Sequence, residues 1–284
     1  MHRLGRFELH AVGDGSFLLD GGAMFGIVPK TVWEKIVKPD AKNRVVVKLN
    51  PLLIRTGEKN ILVDTGIGDK YDAKFSDLYA PDRSSTLLRS LRGIGLGPED
   101  IDVVILTHLH FDHAGGATLR RGGEAVPAFP RAEHVLQEGM WEEAFSANPR
   151  SRGSYVRDDF VPLKKAGLVK FVRGEAEVAP GVRVLHSGGH VEHHQMVMIE
   201  SGGRKALHWG DVMPTSAHVK PAWATGYDLF PLKVAELRET LGERSAAEGW
   251  LNVFGHDPFA PFGYLRKGEK GLQVETVESG LGGR

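Results

Sequence analysis

The chain has 284 residues, 36 basic and 36 acidic side chains, 41% apolar residues and no cysteine. The balanced charge excludes the global basic footprint of a nucleic-acid binder. The missing cysteines exclude disulfides, thiol nucleophiles, zinc fingers and iron–sulfur clusters. A chain this long buries about 75% of its unfolded surface without a staple. The one unusual count is histidine, with 13, three of them between His108 and His113 and seven between His186 and His256.

Short apolar runs bounded by Gly, Pro and Asp recur along the chain. Residues 44–49 and 52–54, a turn at 56–60 (Thr-Gly-Glu-Lys-Asn) and residues 61–63 predict a hairpin-like pair of strands. Residues 84–92 carry Leu87, Leu88 and Leu91 on one helical face. Residues 101–106, Ile-Asp-Val-Val-Ile-Leu, read as a strand buried on both faces. Residues 138–165 mix Trp141, Phe145, Tyr155 and Phe160 with many charges. They predict a surface helix and loop, with a flap over a pocket as the functional alternative. Residues 182–185 alternate, and 195–199 with 205–209 flank Ser201-Gly-Gly203 as a second hairpin. Residues 231–241 predict a helix and 250–254 a buried strand. Residues 272–277 read as an edge strand before a mobile tail. Strands mixed with helices in both halves predict an α+β chain, two mixed sheets packed together with helices outside. The opening residues lack an apolar leader core and no run reaches the length of a membrane span, so a cytoplasmic protein is expected.

The chemistry concentrates in Thr107-His108-Leu109-His110-Phe111-Asp112-His113-Ala114-Gly115-Gly116, directly after the buried strand. Extended geometry puts His108 and His110 on one side. Four ligand-type side chains in six residues are hard to satisfy in a plain core, and imidazole with carboxylate suits zinc and its neighbours. His190, Asp211 and His256 share that context, each beside glycine just past an apolar strand. Seven ligands are too many for one tetrahedral ion and suit two ions with one bridging carboxylate.

This pattern resembles the metallo-β-lactamase superfamily over most of the chain, and the resemblance implies a single domain, 1–284, with the αββα sandwich fold. It further implies that His108, His110 and His190 hold one ion, that Asp112, His113 and His256 hold the second, and that Asp211 bridges. Asp64 in Asp64-Thr-Gly66 would support the metal loops. Asp20-Gly-Gly-Ala-Met-Phe-Gly26, Val28-Pro-Lys30, Trp33, His208-Trp-Gly-Asp-Val-Met-Pro-Thr215 and Gly255-His-Asp-Pro258 look like YtnP-type quorum-quenching N-acyl-homoserine lactonases.

The reaction so implied is opening of a lactone ring by a hydroxide formed on two divalent ions. Zinc is expected first, with iron, cobalt or manganese as alternatives, and Asp112 is the catalytic proton carrier. Met24 and Phe25 are expected to line an acyl pocket, with core packing as the alternative, and Phe111 to sit at its mouth. The tyrosine of related lactonases, three residues past the bridging Asp, is Pro214 here. His218 is expected at the substrate in its stead, with Tyr227 or a merely exposed His218 as alternatives. The familiar ligand loop is altered to Gly189-His-Val-Glu-His-His194, where His193 and His194 either orient ligands or face solvent. Rival readings are a phosphotriester, aryl-ester or thioester hydrolase on the same centre, a nuclease, and a non-catalytic metal or redox module. The expected partner is a small-molecule lactone or ester, with neither nucleic acid nor membrane, and a homodimer is left open.

Overall fold

A computed structural model describes residues 1–269 and 271–277. The expected mobile tail after residue 277 lies outside them. The first seven-stranded sheet runs His2–Leu4, Phe7–Ala11, Leu52–Arg55, Asn60–Val63, Val103–Ile105, Glu133–Gln137, Val169–Val172. Its first four strands pair antiparallel and its last three join in parallel. Parallel joins need crossovers, which the helices Leu87–Arg92, Glu138–Phe145 and Arg157–Lys165 help to supply. The second sheet runs Ala176–Ala179, Val182–His186, Gln195–Ser201, Arg204–His208, Leu251–Val253, Phe262–Gly268, Gly271–Thr276. Only Arg204–His208 and Leu251–Val253 are parallel there, and the 18-residue helix Pro231–Glu248 connects them.

Strand alternation explains the layers. Ile61, Val63, Val103 and Ile105 point inward and meet Val184, Val197, Ile199 and Val253 of the other sheet in one buried cluster. Leu62 and Val104, one residue out of phase, point outward and pack on Leu87, Leu91, Met140, Phe160 and Leu163. Met196, Met198 and Leu207 point outward from the second sheet, where Leu237 and Leu241 of the long helix cover them. Each such fully buried side chain contributes ~1.5–3 kcal/mol. The result is helix, sheet, sheet, helix, the αββα sandwich expected.

The strands His2–Leu4, Phe7–Ala11 and Ser16–Asp20 were not foreseen, and Ser16–Asp20 takes Arg44–Lys48 as its partner in a separate two-stranded sheet. Residues 138–165 form the expected helix and loop together with a second helix, Arg157–Lys165, and both helices bury one face. Met140, Ala144, Phe160 and Leu163 belong to the core, and only the connection between the two helices reaches the site. There Ser154 lines the cavity, and the Tyr155 ring lies 4.9 Å from that of His110.

Candidate metal centre

Five strand ends converge on one rim. Asn60–Val63 delivers Asp64, and Val103–Ile105 leads to His108, His110, Asp112 and His113. Val182–His186 precedes His190, Arg204–His208 precedes Asp211, and Leu251–Val253 precedes His256. The turns are forced by backbone geometry. Asp64 sits at φ 58°, a left-handed conformation that Asp tolerates better than most residues. Gly210, at φ 52°, passes so close to His194 that a Cβ would lie 2.4 Å from its Nε2.

All seven expected ligand residues meet there. His108, His110 and His190 form one group whose ligand atoms lie within 4.8 Å of one another, and Asp112, His113 and His256 form another. Asp211 stands between them. Its Oδ2 lies 3.3 Å from His190 Nε2, and its Oδ1 lies 3.3 Å from both His113 Nε2 and His256 Nε2.

The outer nitrogens are held in place. His113 Nδ1 donates to Asp64 Oδ2 at 2.9 Å, His190 Nδ1 to Asp228 Oδ1 at 2.9 Å, and His256 Nδ1 to the Lys48 carbonyl at 2.9 Å. Asp64 Oδ1 also accepts the Thr107 amide at 2.8 Å. These bonds fix the neutral tautomers with the Nε2 lone pairs facing inward. Neutral His113 and His256 then aim two lone pairs at each other across 3.0 Å. His108 Nε2 and Asp211 Oδ1 are buried without a hydrogen-bond partner among the described residues. Buried electron-rich atoms facing one another are unfavourable unless a cation sits among them.

The charges agree. Burial disfavours the His113 imidazolium, yet with no cation present the Asp211, Asp112 and Asp64 carboxylates outweigh it and draw a proton onto His113, raising its pKa well above the ordinary range. A metal ion held there would take the place of that proton. Asp64, Asp112, Asp211 and Asp228 gather four carboxylates here, a charge that two divalent cations would neutralise. Nitrogen and carboxylate donors in this number fit two ions of the zinc type.

The centre floors a cavity of about 530 Å³, counted to its open mouth, walled by Leu19, Met24, Val47, Phe111, Pro214 and Tyr227 among others. Met24, Phe111 and Asp112 line it as expected. Phe25 and His218 do not. Phe25 is sandwiched between Trp33 and His218, its ring 5.1 Å from one and 5.2 Å from the other. His218 is neither at the substrate nor exposed. It donates from Nε2 to the Met24 carbonyl at 3.0 Å and accepts the Thr215 hydroxyl at Nδ1. Burial lowers it to about 3, so it stays neutral. Tyr79 and Tyr227 reach the cavity instead.

His194 is buried. Its Nε2 accepts the Asp211 amide at 3.1 Å, and its Nδ1 donates to Ser187. His193 packs over Gly139. Asp228, which orients His190, was not foreseen. It lies in a polar loop, Gly226-Tyr-Asp228, with no strand before it and nothing local to mark it.

A metallo-β-lactamase superfamily profile matches residues 46–256, which spans every proposed ligand. The chain belongs to that superfamily. Among curated proteins, an N-acyl homoserine lactonase of Bacillus cereus is 31% identical over 162 residues, which is 52% of this chain and 57% of that relative. The chain thus spans little more than half the length of the curated relatives it matches first. Among solved structures, a probable metal-dependent hydrolase from Staphylococcus aureus superposes with a TM-score of 0.90 at 32% identity, covering 98% of this chain and 99% of that one. AidC, a dizinc quorum-quenching lactonase in complex with a product, superposes at 0.80 over 98% and 97% of the two chains. At 21% identity, that likeness shows the fold alone. No helix among the described residues is long and apolar enough to cross a membrane.

Proposed function

We propose that the protein is a dinuclear metal-dependent hydrolase that opens the lactone ring of N-acyl-homoserine lactones. One observation carries this reading: two ligand groups share the Asp211 carboxylate at the floor of a cavity with an apolar wall. The names of the lactonase relatives support the substrate class.

His108, His110 and His190 would hold one ion, Asp112, His113 and His256 the other, and Asp211 both. When bound, such a pair supplies a hydroxide at neutral pH and an electrophile for the carbonyl oxygen. The protein's own groups do the rest. Leu19, Met24 and Val47 hold the acyl tail, so that the ring lies over the ligands. Pro214 presents no donor to that ring. Burial raises the Tyr227 phenol, so it stays protonated and serves as a donor at the cavity wall. Asp112 faces the cavity and carries a proton to the ring oxygen as its bond to the carbonyl carbon breaks. One water is consumed. Its oxygen ends in the new carboxylate, and a proton reaches the freed hydroxyl, which stays tethered because the ring only opens.

The test is metal analysis of purified protein beside a panel of lactones, aryl esters and phosphotriesters, with ring-opened N-acyl-homoserine identified by mass. Two equivalents of metal and preferred lactone turnover are expected. Metal-loaded protein that ignores lactones and cleaves phosphotriesters would overturn the substrate assignment while sparing the dinuclear centre.

A further inference from the structure

The long helix Pro231–Glu248 carries a side chain that its surface-like sequence conceals. Arg238 is fully buried. Its Nε donates to the Val212 carbonyl, and its Nη1 donates to the Trp223 carbonyl at 2.6 Å. Both partners are main-chain carbonyls on loops of the metal centre. Val212 follows Asp211 directly. Trp223 opens the segment that places Thr225 and Tyr227 in the cavity wall and Asp228 on His190. We infer that Arg238 is a positioning residue for the centre, one guanidinium that holds the loop of the bridging carboxylate and the loop of His190's partner at a fixed separation.

Burying a cation is costly, and an aliphatic residue would fill this helix face at less expense. Two of its nitrogens are spent on main-chain carbonyls, while Nη2 is buried without a hydrogen-bond partner among the described residues. Asp211 is fixed from both sides, its amide by His194 and the next carbonyl by Arg238. Burial lowers the guanidinium pKa to about 10 against the pull of the Asp228 and Asp211 carboxylates, so it remains charged at neutral pH. A guanidinium presents rigidly spaced donors to two acceptors, whereas an ammonium on a flexible stem reaches one carbonyl well and the other poorly. The geometry therefore separates Arg from Lys at this position.

The inference rests on the dinuclear reading, and the test keeps the two apart. Full-length wild type, Arg238→Lys and Arg238→Met are loaded with cobalt, followed by visible absorption, metal titration, circular dichroism and lactone kinetics. Wild type is expected to bind two ions. Arg238→Lys is expected to keep native dichroism while its cobalt bands shift and at least one ion binds about 10- to 100-fold more weakly, as when an outer partner of a ligand is lost. Its kcat should fall more than its KM rises. Arg238→Lys with native dichroism, unchanged bands and unchanged affinities would reduce Arg238 to a scaffold residue. If Arg238→Met does not fold, the Lys variant decides alone. Wild type that binds fewer than two cobalt ions would overturn the dinuclear reading and this inference with it.

Discussion

Asp228 accepts a hydrogen bond from His190 at 2.9 Å, and both side chains are buried on a loop and a strand end 38 residues apart. The bond fixes which nitrogen of His190 is free to face the centre. Asp228→Ala should keep the fold, yet weaken one ion about 10- to 100-fold, with the other little changed. Titration of metal-free protein with zinc against a competing chelator measures this. Equal weakening of both ions would show that Asp228 acts on the whole loop rather than through His190.

Asp211 and Asp112 should differ in kind. Asp211 faces both ligand groups, while Asp112 approaches only His113 and His256, at 3.8 and 3.5 Å. Asp211→Ala is expected to lower the affinity of both ions, and Asp112→Ala that of one, along with catalysis. Loss of just one ion in Asp211→Ala would mean that Asp211 does not bridge.

The ligands were legible because His108, His110, Asp112 and His113 crowd directly after a buried strand, and His190, Asp211 and His256 each stand beside glycine just past an apolar run, where a strand must stop and a loop must turn. Their outer partners were less so. Asp64 follows such a run and was read, but His256 is held by the backbone carbonyl of Lys48, which no side-chain pattern can reveal. Arg238 lies among Glu236, Glu239 and Glu243 and reads as a solvent-facing helix residue, yet it is buried. Met24 and Phe25 are adjacent in sequence, and residue type alone does not say which points to a cavity and which into packing. The strands up to residue 20 are short, and Phe7-Glu-Leu-His-Ala11 does alternate, with Phe7 and Leu9 buried, so that strand was legible although it is absent from the expected elements.

Met24 and Phe25 now make separate predictions. Each acyl methylene that is fully buried gains ~0.8 kcal/mol, about a fourfold effect on binding. Met24→Ser should erode the preference for long-tailed lactones and leave metal content intact. Phe25→Ala should leave that preference alone and destabilise the fold by about 3–5 kcal/mol, because it empties the space between Trp33 and His218. Rates across a tail-length series, beside denaturant unfolding, distinguish the two. A change in tail preference in Phe25→Ala, with Met24→Ser unaffected, would reverse their roles.

Away from the centre, Lys70 and Asp159 form a buried ion pair at 3.1 Å. Burial raises the Asp159 carboxyl to about 6, although Lys70 pulls the other way. Its folded value therefore lies above the unfolded one, near 3.8. Between these values the folded chain keeps a proton that the unfolded chain has released. The stability this contributes is full below about pH 4 and is lost as pH rises through about 6, by up to about 3 kcal/mol. Asp159→Asn removes that titration and leaves Lys70 facing a neutral amide, so the variant should be less steeply dependent on pH even where it is less stable. Urea unfolding of metal-free wild type and variant from pH 4 to 8 measures the difference, in which titrations shared by both proteins cancel. Wild-type stability should fall relative to the variant across pH 4 to 7. Parallel curves would mean that Lys70 keeps Asp159 ionised throughout, and that the pair holds its charges despite burial.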